Sequence, residues 1–120
     1  MTKIDIATDK TNESWNVELV SSKTDVERGL RYHTKLEAKT GMLFIFKDER
    51  LRTFNTVGMN FPIDILFMDS EGYIVSIVKN VKPGRKAIMP PEPAKYVLEI
   101  PAGEASEYKI ELLNRAILPS

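Results

Sequence analysis

The chain contains no cysteine and no glutamine, and His33 is its single histidine. The lack of cysteine excludes disulfide bonds, thiolate metal sites and cysteine nucleophiles. One imidazole cannot supply a zinc site built on several histidines, and a catalytic triad would depend on His33 alone. We therefore expect neither a metal site nor a cofactor.

An excess of one charge and long hydrophobic segments are absent as well. Lysine plus arginine and aspartate plus glutamate each number 17 among 120 residues, so the overall charge predicts neither a nucleic-acid nor a membrane partner. The first ten residues, MTKIDIATDK, alternate polar and apolar side chains, unlike a signal peptide or a membrane span. We expect a cytoplasmic protein with a single domain, residues 1–120, as a monomer or weak dimer.

Hydrophobic periodicity predicts strands over most of the chain. The segment SWNVELV alternates around Trp15 and Val17, whereas GMLFIF is apolar throughout, as in a strand covered on both faces. The runs IDILFMD and YIVSIVKNV flank DSEG, whose acid and glycine fit a tight hairpin turn. Two further runs, KYVLEI and YKIELLN, also have the character of strands.

One segment has a helical period instead. In SKTDVERGLRYH, Thr24 and Glu27 form a capping box ahead of an apolar stripe, which predicts a helix over about residues 24–33. We attribute Gly29, inside this helix, to the close approach of another backbone. One short α-helix among about seven strands predicts a mostly β, single-domain fold, either a β-sandwich or a partly open barrel.

Four motifs in this order resemble the DUF192 (UPF0127) family of small prokaryotic proteins of unknown function. They are ERGLRYH, GMLFIF, TVGMNFPIDILFMDSEG and YVLEIPAG, and the resemblance covers about residues 14–116. It implies a mostly β, sandwich-like domain with one short helix. The chain departs from the family pattern at Asn55, where relatives often carry histidine or tryptophan.

Asp64 interrupts an otherwise apolar strand. Strand alternation places it on one face with Leu66 and Met68, so its carboxylate is expected to be at least half buried. A buried carboxylate needs hydrogen bonds or a nearby cation. It either accepts bonds from backbone amides or the Thr56 hydroxyl, as a structural group, or forms the floor of a ligand pocket.

The preferred functional hypothesis is a binding or accessory domain, rather than an enzyme, that holds a small molecule or a protein segment. The candidate ligand-binding residues are Asn55, Thr56, Met59, Asp64 and Arg28. The alternative is a carboxylate-dependent hydrolase, with Asp64 as the base and Arg28 as electrostatic support. That chemistry needs a second acid near Asp64, for which Glu99 is a guess.

A second alternative concerns the basic turn between Lys79 and Lys86, which has four cations and no acid. Its anion-binding candidates are Lys82, Arg85 and Lys86, which could receive phosphate or an acidic partner. No aromatic residue is interleaved to stack on bases. We expect weak anion binding and no specific nucleic-acid partner.

Overall fold

The computed structural model describes residues 1–119 and contains seven strands and two short helices. The helices are α1 (Lys23–Arg28) and α2 (Glu104–Glu107). The strands are β1 (Thr2–Ala7), β2 (Asn12–Val20), β3 (Thr40–Arg50), β4 (Ile63–Met68), β5 (Ile74–Val81), β6 (Ala94–Pro101) and β7 (Arg115–Ile117). The predicted mostly β, single-domain fold is confirmed, and of the two architectures considered it is the partly open barrel.

All seven strands form one curled sheet in the order β5-β4-β6-β3-β2-β1-β7. The curl brings the two edges of the sheet together, because Ile74 N donates to Asn114 O and Ala116 N donates to Gly72 O, each at 2.9 Å. Every pairing is antiparallel except that between β2 and β3. A parallel pair needs a crossover connection, and residues 21–39, which include α1, supply it.

Alternating side chains of the strands fill two separate cores. The inner core lies inside the curl and comprises Ile4, Ile6, Trp15, Val17, Leu43, Leu66, Met68, Ile74, Tyr96, Leu98, Ile100, Ala105, Ile110 and Ala116. The outer core lies between the convex face, α1 and the neighbouring loops. It comprises Val20, Leu30, Met42, Phe44, Met59, Ile63, Ile65, Phe67, Val81, Ile88, Ala94 and Val97. Strand β4 is buried on both faces, as its apolar run requires.

Helix α1 occupies the predicted position but ends at Arg28 instead of near His33. Its N-cap is Ser22, whose hydroxyl accepts from Asp25 N at 3.1 Å, so the capping box is not the one predicted. Gly29 ends the helix because it adopts φ +53°, a conformation that residues with a Cβ rarely take. Its role is therefore conformational, and the three atoms nearest to a Cβ placed on it all belong to side chains, those of Arg31, Phe44 and Glu99.

The segment YKIELLN, predicted as a strand, forms turns after α2. Lys109 and Leu113 both have positive φ, at 55° and 69°, which breaks an extended conformation. Ile110 is buried in the inner core, and its N–H donates to Ala105 O at 2.9 Å. The alternation of apolar residues in this segment therefore reflects turns anchored on α2.

Candidate functional site

Asp64 is completely buried, and its carboxylate is bound by backbone amides alone. Oδ1 accepts from Asn80 N at 2.8 Å, and Oδ2 accepts from Gly103 N at 3.1 Å and Ala105 N at 2.9 Å. These bonds join β4 to the end of β5 and to the start of α2. Because both oxygens accept backbone hydrogen bonds inside the fold, the geometry favours the structural interpretation of Asp64.

Thr56 and Met59 also face the interior. The Thr56 hydroxyl donates to Lys82 O at 2.7 Å and accepts from Arg85 N at 3.0 Å, so it fixes the basic turn. Met59 is 6% exposed and belongs to the outer core. Arg28 lies on the surface, with its guanidinium 5.2 Å from the centre of the Tyr32 ring. The structure therefore does not gather the predicted ligand-binding residues into one pocket.

Arg31, which the sequence did not single out, lies where the chain leaves α1 and binds the loop at Asn55. Its Nε donates to Val57 O at 2.9 Å, and Nη1 donates to the carbonyls of Glu27 and Arg28 at 3.0 and 3.3 Å. Its Nη2 donates to the carbonyl of Asn55 at 3.2 Å and to the Asn55 side-chain oxygen. All five acceptors are neutral oxygens, and Arg31 takes part in none of the ion pairs within residues 1–119.

Arg31 and Asn55 line a depression between α1 and the loop that follows β3, which we call the α1 cleft. Its volume is about 380 Å³, and its lining residues are Val26, Glu27, Arg31, Phe46, Leu51, Arg52, Thr53, Phe54 and Asn55. The rings of Phe46 and Phe54 pack edge to face with centroids 6.3 Å apart and give the cleft an apolar wall. The cleft thus combines aromatic surface with two guanidinium groups.

Arg52 is held at this cleft with its side chain 12% exposed. Its guanidinium stacks 3.9 Å from the centre of the Phe46 ring, Nε donates to Ala94 O at 3.0 Å, and Nη2 donates to Asp48. These contacts fix the plane of the guanidinium and leave the Nη1 hydrogens for another acceptor. The side-chain nitrogen of Asn55 is a second such donor, since only its oxygen is used by Arg31 and Val57 N.

Glu99 lies in the outer core, 3% exposed, close to Arg31. Both groups border the small space beside Gly29, where a side chain would otherwise begin. A hypothetical Cβ on Gly29 would be 3.3 Å from Arg31 Nη1 and 3.9 Å from Glu99 Oε1. Burial raises the pKa of Glu99 to about 8, and the positive charge of Arg31 opposes this rise only in part. At neutral pH the carboxyl is mostly protonated.

The basic turn is formed as predicted, with Lys82, Arg85 and Lys86 exposed. Gly84 adopts φ +91° and its N–H donates to Thr56 O at 2.9 Å, which fixes the turn to the loop at Thr56. None of the three cations forms an ion pair within the described part of the chain. Anion binding at this turn stays a prediction.

No helix among residues 1–119 has the length and apolar character needed to cross a membrane.

Comparison with known proteins gives a fold and a family. A crystal structure from Sinorhizobium meliloti 1021, described as a "putative transcription regulator", superposes with a TM-score of 0.92 at 29% identity over 96% of this chain and 91% of that one. A protein of unknown function from Novosphingobium aromaticivorans DSM 12444 superposes with a TM-score of 0.92 at 22% identity over 97% and 84%. No curated protein matches. The profile of DUF192, described as "Uncharacterized ACR", matches residues 4–115, and the chain belongs to this family.

Proposed function

We propose that the protein is a binding domain without catalytic activity, and that the α1 cleft holds a small organic anion. The observation that carries this proposal is the environment of Arg31. Its guanidinium is fixed by neutral oxygens, forms no ion pair within residues 1–119 and lines a concave surface. A cation in a cleft with low-dielectric walls attracts anions more strongly than one on an open surface.

Two further features define the ligand chemistry. Arg52 Nη1 and Asn55 Nδ2 are donors at the cleft, and both can bind a carboxylate or a similar oxyanion. Phe46 and Phe54 offer an aromatic wall for the rest of the ligand. A volume of about 380 Å³ is within the range of small-molecule pockets, so a small molecule suits the cleft better than a folded partner.

Asn55 is the one predicted ligand-binding residue that lines this cleft, while Thr56, Met59 and Asp64 support the surrounding structure. Catalysis gains no support from the cleft. Its lining contains one carboxylate, that of Glu27, and one hydroxyl, that of Thr53, and no hydrogen bond joins these two side chains within residues 1–119. An aromatic wall beside two arginines is typical of a site that binds a ligand.

The likeness to a protein described as a "putative transcription regulator" is compatible with an accessory, ligand-sensing role for this chain. Direct readout of DNA by a helix has no support. Helix α1 is exposed but has six residues, and α2 has four with two of them buried, so neither is a long exposed helix of the kind that reads the major groove.

Benzoate is a suitable probe because it joins one carboxylate to an aromatic ring. In a titration of the full chain at low ionic strength, followed by amide NMR shifts, we expect saturable changes at Arg31, Phe54 and Asn55. Benzyl alcohol, which has the ring but no charge, should bind more weakly. Shifts spread over the surface, or equal binding of the two compounds, would contradict the proposal.

The variant Asn55→Asp tests the charge directly. An aspartate keeps an oxygen acceptor for Arg31 and Val57 N, so the loop is retained, but it removes a donor and adds a negative charge to the cleft. We expect benzoate affinity to fall about tenfold or more. The matched control is Asn16→Asp, which makes the same charge change at an exposed residue outside the cleft. Equal affinity of both variants would count against the α1 cleft as the site.

A further inference from the structure

Glu99 is positioned to act on the α1 cleft without lining it. Arg31 lines the cleft, and its Nη1 and the Glu99 carboxyl both border the space beside Gly29. The Glu99 side chain is almost completely enclosed, and no donor among residues 1–119 is hydrogen-bonded to it. Its carboxyl oxygens keep slight contact with solvent, because His33 Nδ1 is the one fully buried side-chain nitrogen or oxygen of residues 1–119 that lacks a partner. The Glu99 carboxyl therefore lies close to the charge of Arg31 without being bonded to it.

We propose that Glu99 controls anion binding in the α1 cleft through the charge of Arg31. While the Glu99 carboxyl is neutral, it does not offset the positive charge that Arg31 presents to the cleft, and the Glu27 carboxylate is the one acid of the lining. When Glu99 loses its proton, the new carboxylate compensates that charge from the protein interior and weakens anion binding. This inference rests on the proposed function and adds a regulatory residue to it.

The groups around Glu99 leave Arg31 as its main electrostatic partner. Cross-strand pairing places Glu18, Met42, Glu99 and Ile65 in one row on the outer face. The uncharged Met42 and Ile65 are therefore the immediate neighbours of Glu99 on β3 and β4.

Glu18, the other acid of the row, lies beyond Met42 at the surface and is bonded to His33 Nε2 at 3.1 Å. Arg28 is exposed, with its guanidinium over the Tyr32 ring. Of all these groups, Arg31 is the one whose charge acts on the protonation of Glu99.

The coupling has a definite sign. Because the pKa of Glu99 is about 8, the carboxyl is mostly neutral at pH 7 and ionised at pH 9.5. An anion in the cleft must therefore bind more tightly at the lower pH. By thermodynamic reciprocity, the same anion must raise the pKa of Glu99, since each equilibrium shifts the other by the same factor.

The experiment compares wild type with Glu99→Gln, in which an amide of the same shape cannot ionise. Benzoate is titrated into the full chain between about pH 6.5 and 9.5, on both sides of the Glu99 pKa of about 8, and stays ionised throughout. We expect wild-type affinity to fall about tenfold across this range and the affinity of the variant to stay constant. A second measurement follows the Glu99 carboxyl carbon by NMR in wild type, where saturating benzoate should raise the pKa by about one unit.

The outcomes separate this inference from the proposed function. If wild type binds benzoate at the cleft with an affinity independent of pH, the role of Glu99 is disproved while the binding site stands. The same holds if Glu99→Gln keeps the wild-type loss of affinity at high pH. If benzoate does not bind wild type at any pH, both proposals fail. Should the variant not fold, an unchanged Glu99 pKa in wild type with benzoate bound is sufficient to overturn the inference.

Discussion

Asp64 and Glu99 lie on adjacent strands, but their carboxyl groups point to opposite faces of the sheet. Asp64 is paired with Ile100, and Ile65 is paired with Glu99. Directly paired residues share a face and consecutive residues alternate, so Asp64 enters the inner core and Glu99 the outer core. The two acids cannot act as a catalytic pair across one cavity. The hydrolase alternative, which needs a second acid beside Asp64, therefore has no support from this geometry.

Replacing Asp64 by alanine should lower the free energy of unfolding by about 3 kcal/mol or more, because three backbone donors lose a charged acceptor inside the protein. The measurement is urea-induced unfolding. A matched control is Asp69→Ala, in the hairpin turn, where Oδ1 accepts from Glu71 N and Tyr73 N. Water can replace that carboxylate, so we expect a loss of about 1 kcal/mol. Equal losses in the two variants would show that Asp64 is not a special structural acceptor.

The Glu99→Gln variant should change how stability depends on pH. The folded protein holds the Glu99 proton up to about pH 8, whereas the unfolded chain loses it near the ordinary value of 4.5. Between these values the folded state binds more protons, so wild-type stability falls as pH rises, and the loss is complete above the folded pKa. Glutamine has no such loss.

We therefore expect the stability of Glu99→Gln relative to wild type to increase by about 3 to 5 kcal/mol between pH 5 and pH 9. Urea unfolding of both proteins at several pH values measures this difference, which cancels the contribution of other titrating groups. Parallel stability curves would mean that Glu99 ionises normally in the folded protein.

Arg31→Lys should loosen the loop that carries Asn55. A lysine keeps the charge but cannot reproduce the planar set of donors that reaches Asn55, Val57 and the end of α1. We expect a modest loss of stability, about 1 kcal/mol, and faster hydrogen exchange at the amides of residues 55–59. Arg28→Lys is the control, because Arg28 contacts Tyr32 at the surface and should leave exchange unchanged. Unaltered exchange in Arg31→Lys would show that the loop is held by other contacts.

The basic turn should bind polyanions weakly and without sequence preference. Lys82, Arg85 and Lys86 are exposed, but no aromatic side chain lies between them to stack on bases. A fluorescence titration with single-stranded RNA should show association that weakens steeply as salt is raised. Tight binding at physiological salt, abolished by replacing Arg85 and Lys86 with alanine, would contradict this expectation.

The sequence predicted the parts of the fold that depend on local patterns. The prediction recognised the apolar runs of β3 and β4 and the DSEG turn, because a buried strand and a tight turn each depend on the residue types at consecutive positions. In that turn Asp69 accepts from Tyr73 N at 2.9 Å and Gly72 has φ +90°. The segment YKIELLN was wrongly predicted as a strand. The chain turns there so that Leu113 N donates to Ile74 O at 2.8 Å, and this contact depends on the tertiary fold.

The candidate site was predicted only in part, for a related reason. Alternation was enough to bury Asp64, but its three donors lie 16 to 41 residues away along the chain, beyond the reach of any local pattern. The sequence did not reveal that Arg31 binds Asn55. This contact forms because α1 ends at Gly29, and the chain beyond it directs the Arg31 side chain toward Asn55. Glu99 had a readable signal, since the acid in YVLEI interrupts an apolar strand just as Asp64 does in IDILF.

The meeting of the two sheet edges determines when the fold can be completed. Strand β1 pairs with β2 on one side and with β7 on the other, and the bonds of Ile74 and Gly72 to the segment before and within β7 close the curl. During synthesis, β1 emerges before the other strands, while residues 113–117 emerge after β6. The nascent chain therefore carries an unclosed inner core, with one edge of β1 unpaired and apolar core side chains open to solvent, until β7 has left the ribosome.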